Sequence, residues 1–127
     1  MSEDGLRLKI AIRVMSGDEI AMGPGKADLL EAIDATGSIS AAGRAMDMSY
    51  RRAWLLVDAM NRCWRDPLVE TSPGSAKGGG ARISARGRTV LDHYRALQAR
   101  LQGTSDCADY RALAEAMLEK PLARQPT

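Results

Sequence analysis

Phenylalanine is absent from this chain, and two tryptophans and three tyrosines are its whole aromatic complement. A core built from 127 residues must therefore rest on Leu, Ile, Val, Met and Ala. Histidine occurs once, as His93, with Asp92 beside it in a stretch that reads as helix. Neighbours along a helix do not face each other, so the two make no catalytic dyad. No acid, base and nucleophile converge elsewhere, so no enzyme is expected and no cofactor is implied. The two cysteines, Cys63 and Cys107, show neither CxxC nor metal-ligand spacing. Both fall among helical residues and are expected to be reduced and packed, and no metal site follows. No apolar run is long enough to cross a bilayer. The polar, mixed-charge start MSEDGLRLK does not read as a signal peptide. A cytoplasmic protein with no membrane partner is expected.

Net charge is also small, +2, but it is unevenly placed. Residues 37–100 carry 11 basic and 5 acidic side chains, a balance of +6, and the remainder carries 7 basic and 11 acidic, or −4. A positive segment of this kind is the electrostatic footprint expected for a polyanion.

That segment opens on Thr36 to Trp64, TGSISAAGRAMDMSYRRAWLLVDAMNRCW, which reads as two short helices around a tight turn. Ser38 is a suitable N-cap for a helix over Ile39–Met46, since its hydroxyl can accept from a free N–H of the first turn. Asp47-Met48 is the turn. Ser49 caps a second helix from Tyr50 to about Cys63. Tyr50, Ala53, Trp54, Val57, Met60 and Trp64 repeat at three and four, which predicts one buried stripe. Ser49, Arg51, Arg52, Leu55, Asp58 and Arg62 are left opposite. A hydroxyl and two guanidinium groups at the start of a helix anchored by its other face is what major-groove reading needs.

Around this pair the chain supplies the rest of a small domain. Leu6 to Val14, LRLKIAIRV, alternates apolar and polar residues and predicts a half-buried strand. Ser16-Gly17-Asp18 turns it, and Glu19–Met22 returns as a short partner. Pro24 suits the first turn of a helix running through Lys26–Ala35, with Leu29, Leu30 and Ile33 on one face and Gly37 as its stop. After Asp66-Pro67, a short strand at Leu68–Thr71, a glycine-rich tip holding Lys77, and a return strand at Ala81–Ile83 predict the wing of a winged helix. The tip would bring backbone N–H groups and Lys77 to phosphate. Ser84 then caps a long helix over Ala85–Gln102, where Val90, Leu91, Tyr94, Leu97 and Leu101 repeat at three and four. Residues 103–106 interrupt it, and helix resumes over Asp109–Lys120. Such a stripe is either further core or a dimer seam.

The segment GSISAAGRAMDMSYRRAW, with Met60-Asn61, Leu68 to Glu70, KGGGARIS at Lys77–Ser84, Gly87 and Tyr94, resembles the DNA-binding domain of ModE-type molybdate-responsive transcriptional regulators. Those in turn resemble the winged helices of LysR-type regulators. The resemblance covers residues 6–118. It implies a mainly α fold with small β: a winged helix-turn-helix with an N-terminal β-hairpin and a long C-terminal dimerisation helix. One domain over residues 1–120 is expected, with its dimerisation helices at about 85–119, followed by a disordered tail over 121–127. The family implies a homodimer on palindromic double-stranded DNA, with one reading helix per major groove and the wings on the flanking backbone. Carried onto matching positions, the DNA-facing residues are Ser38, Ser40, Ser49, Tyr50, Arg51 and Arg52, with Lys77 and Arg82 on the wing. The dimer seam is Val90, Leu91, Tyr94, Leu97 and Leu101. Trp54 matches the family's tryptophan and is expected in the core.

Two departures from the family pattern carry expectations of their own. Asp47 stands where relatives have Gly, and Asp tolerates the left-handed conformation better than most residues. The sequence also has no length for the C-terminal oxyanion-binding modules of ModE-type regulators. A response to molybdate is then expected from a separate oxyanion-binding or effector-sensing protein. Two other functions fit the same fold: a non-specific architectural DNA binder, and a protein-interaction module that does not bind DNA. Salt dependence and a specificity ratio separate the first of these from a sequence-specific regulator. Absence of any DNA shift at low salt would favour the second.

Overall fold

A computed structural model describes residues 7, 9–72, 80–103 and 107–126. The element order is β1 (Val14–Ser16), β2 (Glu19–Met22), α1 (Pro24–Thr36), α2 (Ile39–Ala45), α3 (Tyr50–Cys63), β3 (Val69–Ser72), β4 (Gly80–Ile83), α4 (Ala85–Gln102) and α5 (Ala108–Ala116). Two antiparallel pairs, β1 with β2 and β3 with β4, are the sheets among the described residues. Helices dominate, and the β3–β4 ribbon follows the α2–α3 pair as a wing does. This is the mainly α, small-β winged helix that the sequence implies.

The chain divides into two compact units, Ala11–Ala96 and a second made of Met1–Ile10 with Leu97–Thr127. In the first, Met22, Leu29, Leu30, Ile33, Val57, Met60 and Leu68 are fully buried, and Leu91 and Tyr94 join the same core. The core therefore does without Phe by stacking Leu, Ile and Met from α1 and α3 around small residues: Ala27, Ala42 and Ala53 are fully buried too. In the second unit Ala114 is buried, whereas Leu113, Met117 and Leu118 on or just beyond α5 are exposed. Residues 121–126 carry neither helix nor strand and are exposed.

Local chemistry sets each boundary in the first unit. Gly37 takes φ 77° and closes α1 by donating its N–H to Ile33 O. Ser38 Oγ accepts from Ala41 N at 2.9 Å, and Ser49 Oγ accepts from Arg52 N at 3.1 Å, so both short helices are capped as their sequences require. Asp47 holds φ 59°, the only non-glycine positive φ among the described residues. The left-handed turn thus survives without glycine. A Cβ on Gly43 would stand 3.3 Å from Ala53 Cβ, which shows how closely α2 and α3 cross there.

Three sequence expectations are corrected. The strand expected over Leu6–Val14 is reduced to β1, Val14–Ser16; residues 9–13 carry no strand, and Leu6 and Leu8 lie outside the described residues. Ile12 and Val14 still pack on the core while Arg13 is exposed, so the alternation persists without the ladder. A strand needs a partner for its N–H and C=O groups, and β2 extends only from Glu19 to Met22. Secondly, the last helix ends at Ala116, not Lys120. Finally, Cys63 is half-buried but Cys107 is exposed at the start of α5, so only one of the two thiols is packed.

Candidate nucleic-acid interface

The α2–α3 pair is held by its buried face and by two polar staples at the far end of α3. Asn61 Oδ1 accepts from Leu68 N at 2.9 Å and from Val69 N at 3.0 Å, while its Nδ2 donates to Val69 O at 3.1 Å. One amide side chain therefore satisfies three backbone groups where β3 leaves the helix, and it fixes the base of the wing to α3. Trp64 Nε1 donates to Ala21 O at 3.1 Å and fastens the same end to β2. On the other side of the wing, Ala81 N donates to Gly37 O at 2.8 Å, so β4 is tied to the corner between α1 and α2.

The start of α4 completes the support. Ser84 N donates to Leu68 O at 2.8 Å, Ser84 Oγ donates to Pro67 O at 2.6 Å, and Gly87 N donates to Ser84 Oγ at 3.0 Å. A Cβ on Gly87 would lie 2.3 Å from Leu68 O, so this turn can approach β3 only because residue 87 has none. Tyr94, further along α4, donates its hydroxyl to Ile12 O at 2.8 Å. Burial pushes the Tyr94 phenol above its usual pKa.

With the helix so anchored, its N-terminal turns face outward. Arg51 and Arg52 are exposed, and among the described residues they have no ion pair and no side-chain hydrogen bond. Arg44, near the end of α2, donates to Ser40 Oγ at 2.9 Å and has no carboxylate partner. Five other arginines of this segment behave differently, whereas Arg65 and Arg100, like the helix-turn-helix arginines, make no ion pair among the described residues. Arg62 meets Glu19 and Asp58 at 2.6 and 2.8 Å, Arg82 meets Glu70 at 3.1 Å, Arg86 meets Asp66 at 3.0 Å, Arg88 meets Asp34 at 2.5 Å, and Arg95 meets Asp28 at 2.7 Å as well as Glu31. Hydrogen bonds donated to Asp58 and Glu19 hold the Arg62 guanidinium well above its usual pKa, and the one donated to Asp34 raises that of Arg88. Part of the +6 balance is therefore matched by carboxylates from outside the segment, Glu19, Asp28, Glu31 and Asp34, close in space and distant in sequence. Three guanidinium groups without a carboxylate partner, those of Arg44, Arg51 and Arg52, stand together on the helix-turn-helix. Burial lowers the pKa of Lys26 on α1.

The expected interface residues separate on this geometry. Ser38 and Ser49 are used as caps, Ser40 accepts from Arg44, and Tyr50, Arg51 and Arg52 are exposed at the start of α3. Arg82 is exposed but bound across the ladder to its register partner Glu70. Lys77 lies outside the described residues. Trp54 is not in the core as expected: it is 38% exposed and stands edge-on to Tyr50, with ring centroids 6.3 Å apart. The buried face of α3 is centred on Ala53, Val57 and Met60, and Trp54 falls at its margin. On α4, Leu91 and Tyr94 are buried in this chain's own core and Val90 packs against it, whereas Leu97 and Leu101 are exposed. Asn61 carries more of the architecture than its place in the sequence suggested. Its signal was a lone amide on the last turn of an amphipathic helix, just before a strand.

No family model matches the chain. Among curated proteins, the molybdenum transport protein ModE of Azotobacter vinelandii is 40% identical over 78 residues, 61% of this chain and 29% of the relative. Over this segment the chain is similar to ModE proteins. The molybdenum-pterin-binding protein MopB of Rhodobacter capsulatus is 44% identical over 78 residues, again 61% of this chain and 29% of that protein. The DNA-binding transcriptional dual regulator ModE of Escherichia coli strain K12 is 28% identical over 89 residues, 70% of this chain and 34% of its own length. The chain thus spans about a third of the length of each of these relatives.

Proposed function

We propose that this ModE-type chain is a sequence-specific DNA-binding transcriptional regulator, with α3 as its reading helix. The observation that carries this reading is the distribution of cations. Five of the ten arginines of the positive segment are engaged by carboxylates of the same fold, whereas Arg44, Arg51 and Arg52 stand together on the helix-turn-helix with none. Arg51 and Arg52 stand in the first turn of α3, where side chains reach base edges most directly. Ser38, Ser40 and Ser49 lie at the helix starts and meet the sugar-phosphate backbone. Lys77 and Arg82 on the wing contact phosphate; for Arg82 this requires exchanging Glu70 for a phosphate oxygen.

The reading extends to a homodimer on palindromic DNA, with two reading helices about 34 Å apart, one turn of duplex, or at a multiple of that distance. Leu97 and Leu101, exposed on α4, supply the seam. The controlled genes concern molybdenum, following the names of the relatives. A titration of duplexes from a random pool, repeated across salt concentrations, tests the core of this reading. Enrichment of one sequence with a ratio above about 10³ over bulk DNA supports it. Uniform binding of all sequences would instead identify an architectural protein.

A further inference from the structure

Three apolar side chains on α3 are exposed beside the unpartnered arginines: Tyr50 at 56%, Trp54 at 38% and Leu55 at 56%. Residues four apart on a helix are neighbours, so Tyr50 with Trp54 and Arg51 with Leu55 form two adjacent columns of one patch. Asp58, the next acidic group along this face, is already engaged by Arg62 at 2.8 Å. The patch is therefore apolar at its centre and cationic at its border, where Arg51 and Arg52 stand. An apolar surface bordered by uncompensated guanidinium groups fits a ligand that offers methyl groups between rows of phosphate. The major groove is such a surface: thymine shows a C5-methyl there, and cytosine, adenine and guanine do not.

We infer that Trp54 and Leu55 are specificity-determining residues that read thymine C5-methyl groups in the major groove. This rests on the reading of α3 as the DNA-facing helix. The arginines would then select hydrogen-bonding edges while Trp54 and Leu55 select methyls, so that the two halves of the patch report different bases. Tyr50 stands edge-on to Trp54 and flanks it on the N-terminal side.

Removal of single methyl groups tests this directly. A duplex enriched by the full chain from a random pool is resynthesised with each thymine replaced, one at a time, by deoxyuridine, which deletes the methyl and leaves every hydrogen-bonding group. At one or more positions per half-site the wild-type protein is expected to bind about four-fold more weakly, the worth of one buried methyl-sized group. Trp54→Ala and Leu55→Ala are expected to bind the thymine and deoxyuridine duplexes alike at the position each reads, while keeping the helical circular dichroism of the wild type. Leu55 is more than half exposed, so its variant keeps the test decisive should Trp54→Ala unfold. If the wild type binds an enriched duplex but is indifferent to every deoxyuridine, this inference falls and the DNA-binding function stands. If no sequence is enriched at all, both fall.

Discussion

Replacing Asn61 by Ala removes a side chain that serves three backbone groups and leaves the helix backbone untouched. Leu68 N and Val69 N, both on buried residues, lose their acceptor, and Val69 O loses one donor. An unsatisfied buried amide costs about 1–3 kcal/mol, and the carbonyl less because it has a second lone pair. Asn61 is itself half-buried, so water can partly replace it, which favours the lower part of that range. The expected loss is about 2–4 kcal/mol for the unit Ala11–Ala96. For a domain of this size, thermal unfolding should move down by about 10–25 °C. Asn61→Asp should fall between wild type and Ala, because a carboxylate still accepts from both amides but cannot donate to Val69 O. Urea titration followed by circular dichroism measures both variants. A loss under about 0.5 kcal/mol for Asn61→Ala would show that the two amides are solvated and that the wing is not held through α3.

Arg51→Ala and Arg52→Ala should each weaken the selected site by about 1–3 kcal/mol in gel-shift titration, with much smaller effects on bulk DNA. Unchanged specific binding would remove α3 from the interface. Lys77→Ala and Arg82→Ala should weaken all sequences alike and reduce the magnitude of the salt slope by about 1 each, read from binding isotherms across salt concentrations. Gly87→Ala places a Cβ against the Leu68 carbonyl and should destabilise by about 2–4 kcal/mol in chemical denaturation. Because burial raises the Tyr94 pKa, its contribution to stability is present in full below the unfolded tyrosine pKa and is lost as pH rises through the higher folded value. Tyr94→Phe should accordingly be less stable at neutral pH but lose less on going to alkaline pH, as measured by melting across that range. Leu97→Asp should give monomers in sedimentation that lose the palindrome steeply.

The short-range features of the fold were legible because their causes are short-range. Ser38, Ser49 and Gly37 end or begin helices through groups within four residues, and Asp47 needs only its own tolerance of positive φ. Trp54 was misplaced by the same logic: a three-four stripe drawn from Tyr50 includes it, but the centre of burial is set by what α1 and β2 present to α3, which periodicity does not encode. The hairpin failed over residues 9–13 because alternation specifies a face and not a partner. Charge was the least legible property. Arg88 pairs with Asp34, 54 residues earlier, and Arg95 with Asp28, 67 residues earlier, so the segment balance overstated how much positive charge is available to a ligand.

Those internal pairs bear on how such a molecule would find a duplex. A guanidinium with a carboxylate within 3 Å presents a small dipole to its surroundings, and the field of a dipole fades faster than that of a charge. At 0.1 M ionic strength the remaining monopoles, those of Arg44, Arg51 and Arg52 on the helix-turn-helix among them, are felt over only about 10 Å. Long-range attraction would then contribute little to encounter, and the association rate should depend on salt much less than the equilibrium constant does. Retention after contact, set by the arginines of α3 and by any guanidinium on the wing that changes partners, would decide how long each site is occupied.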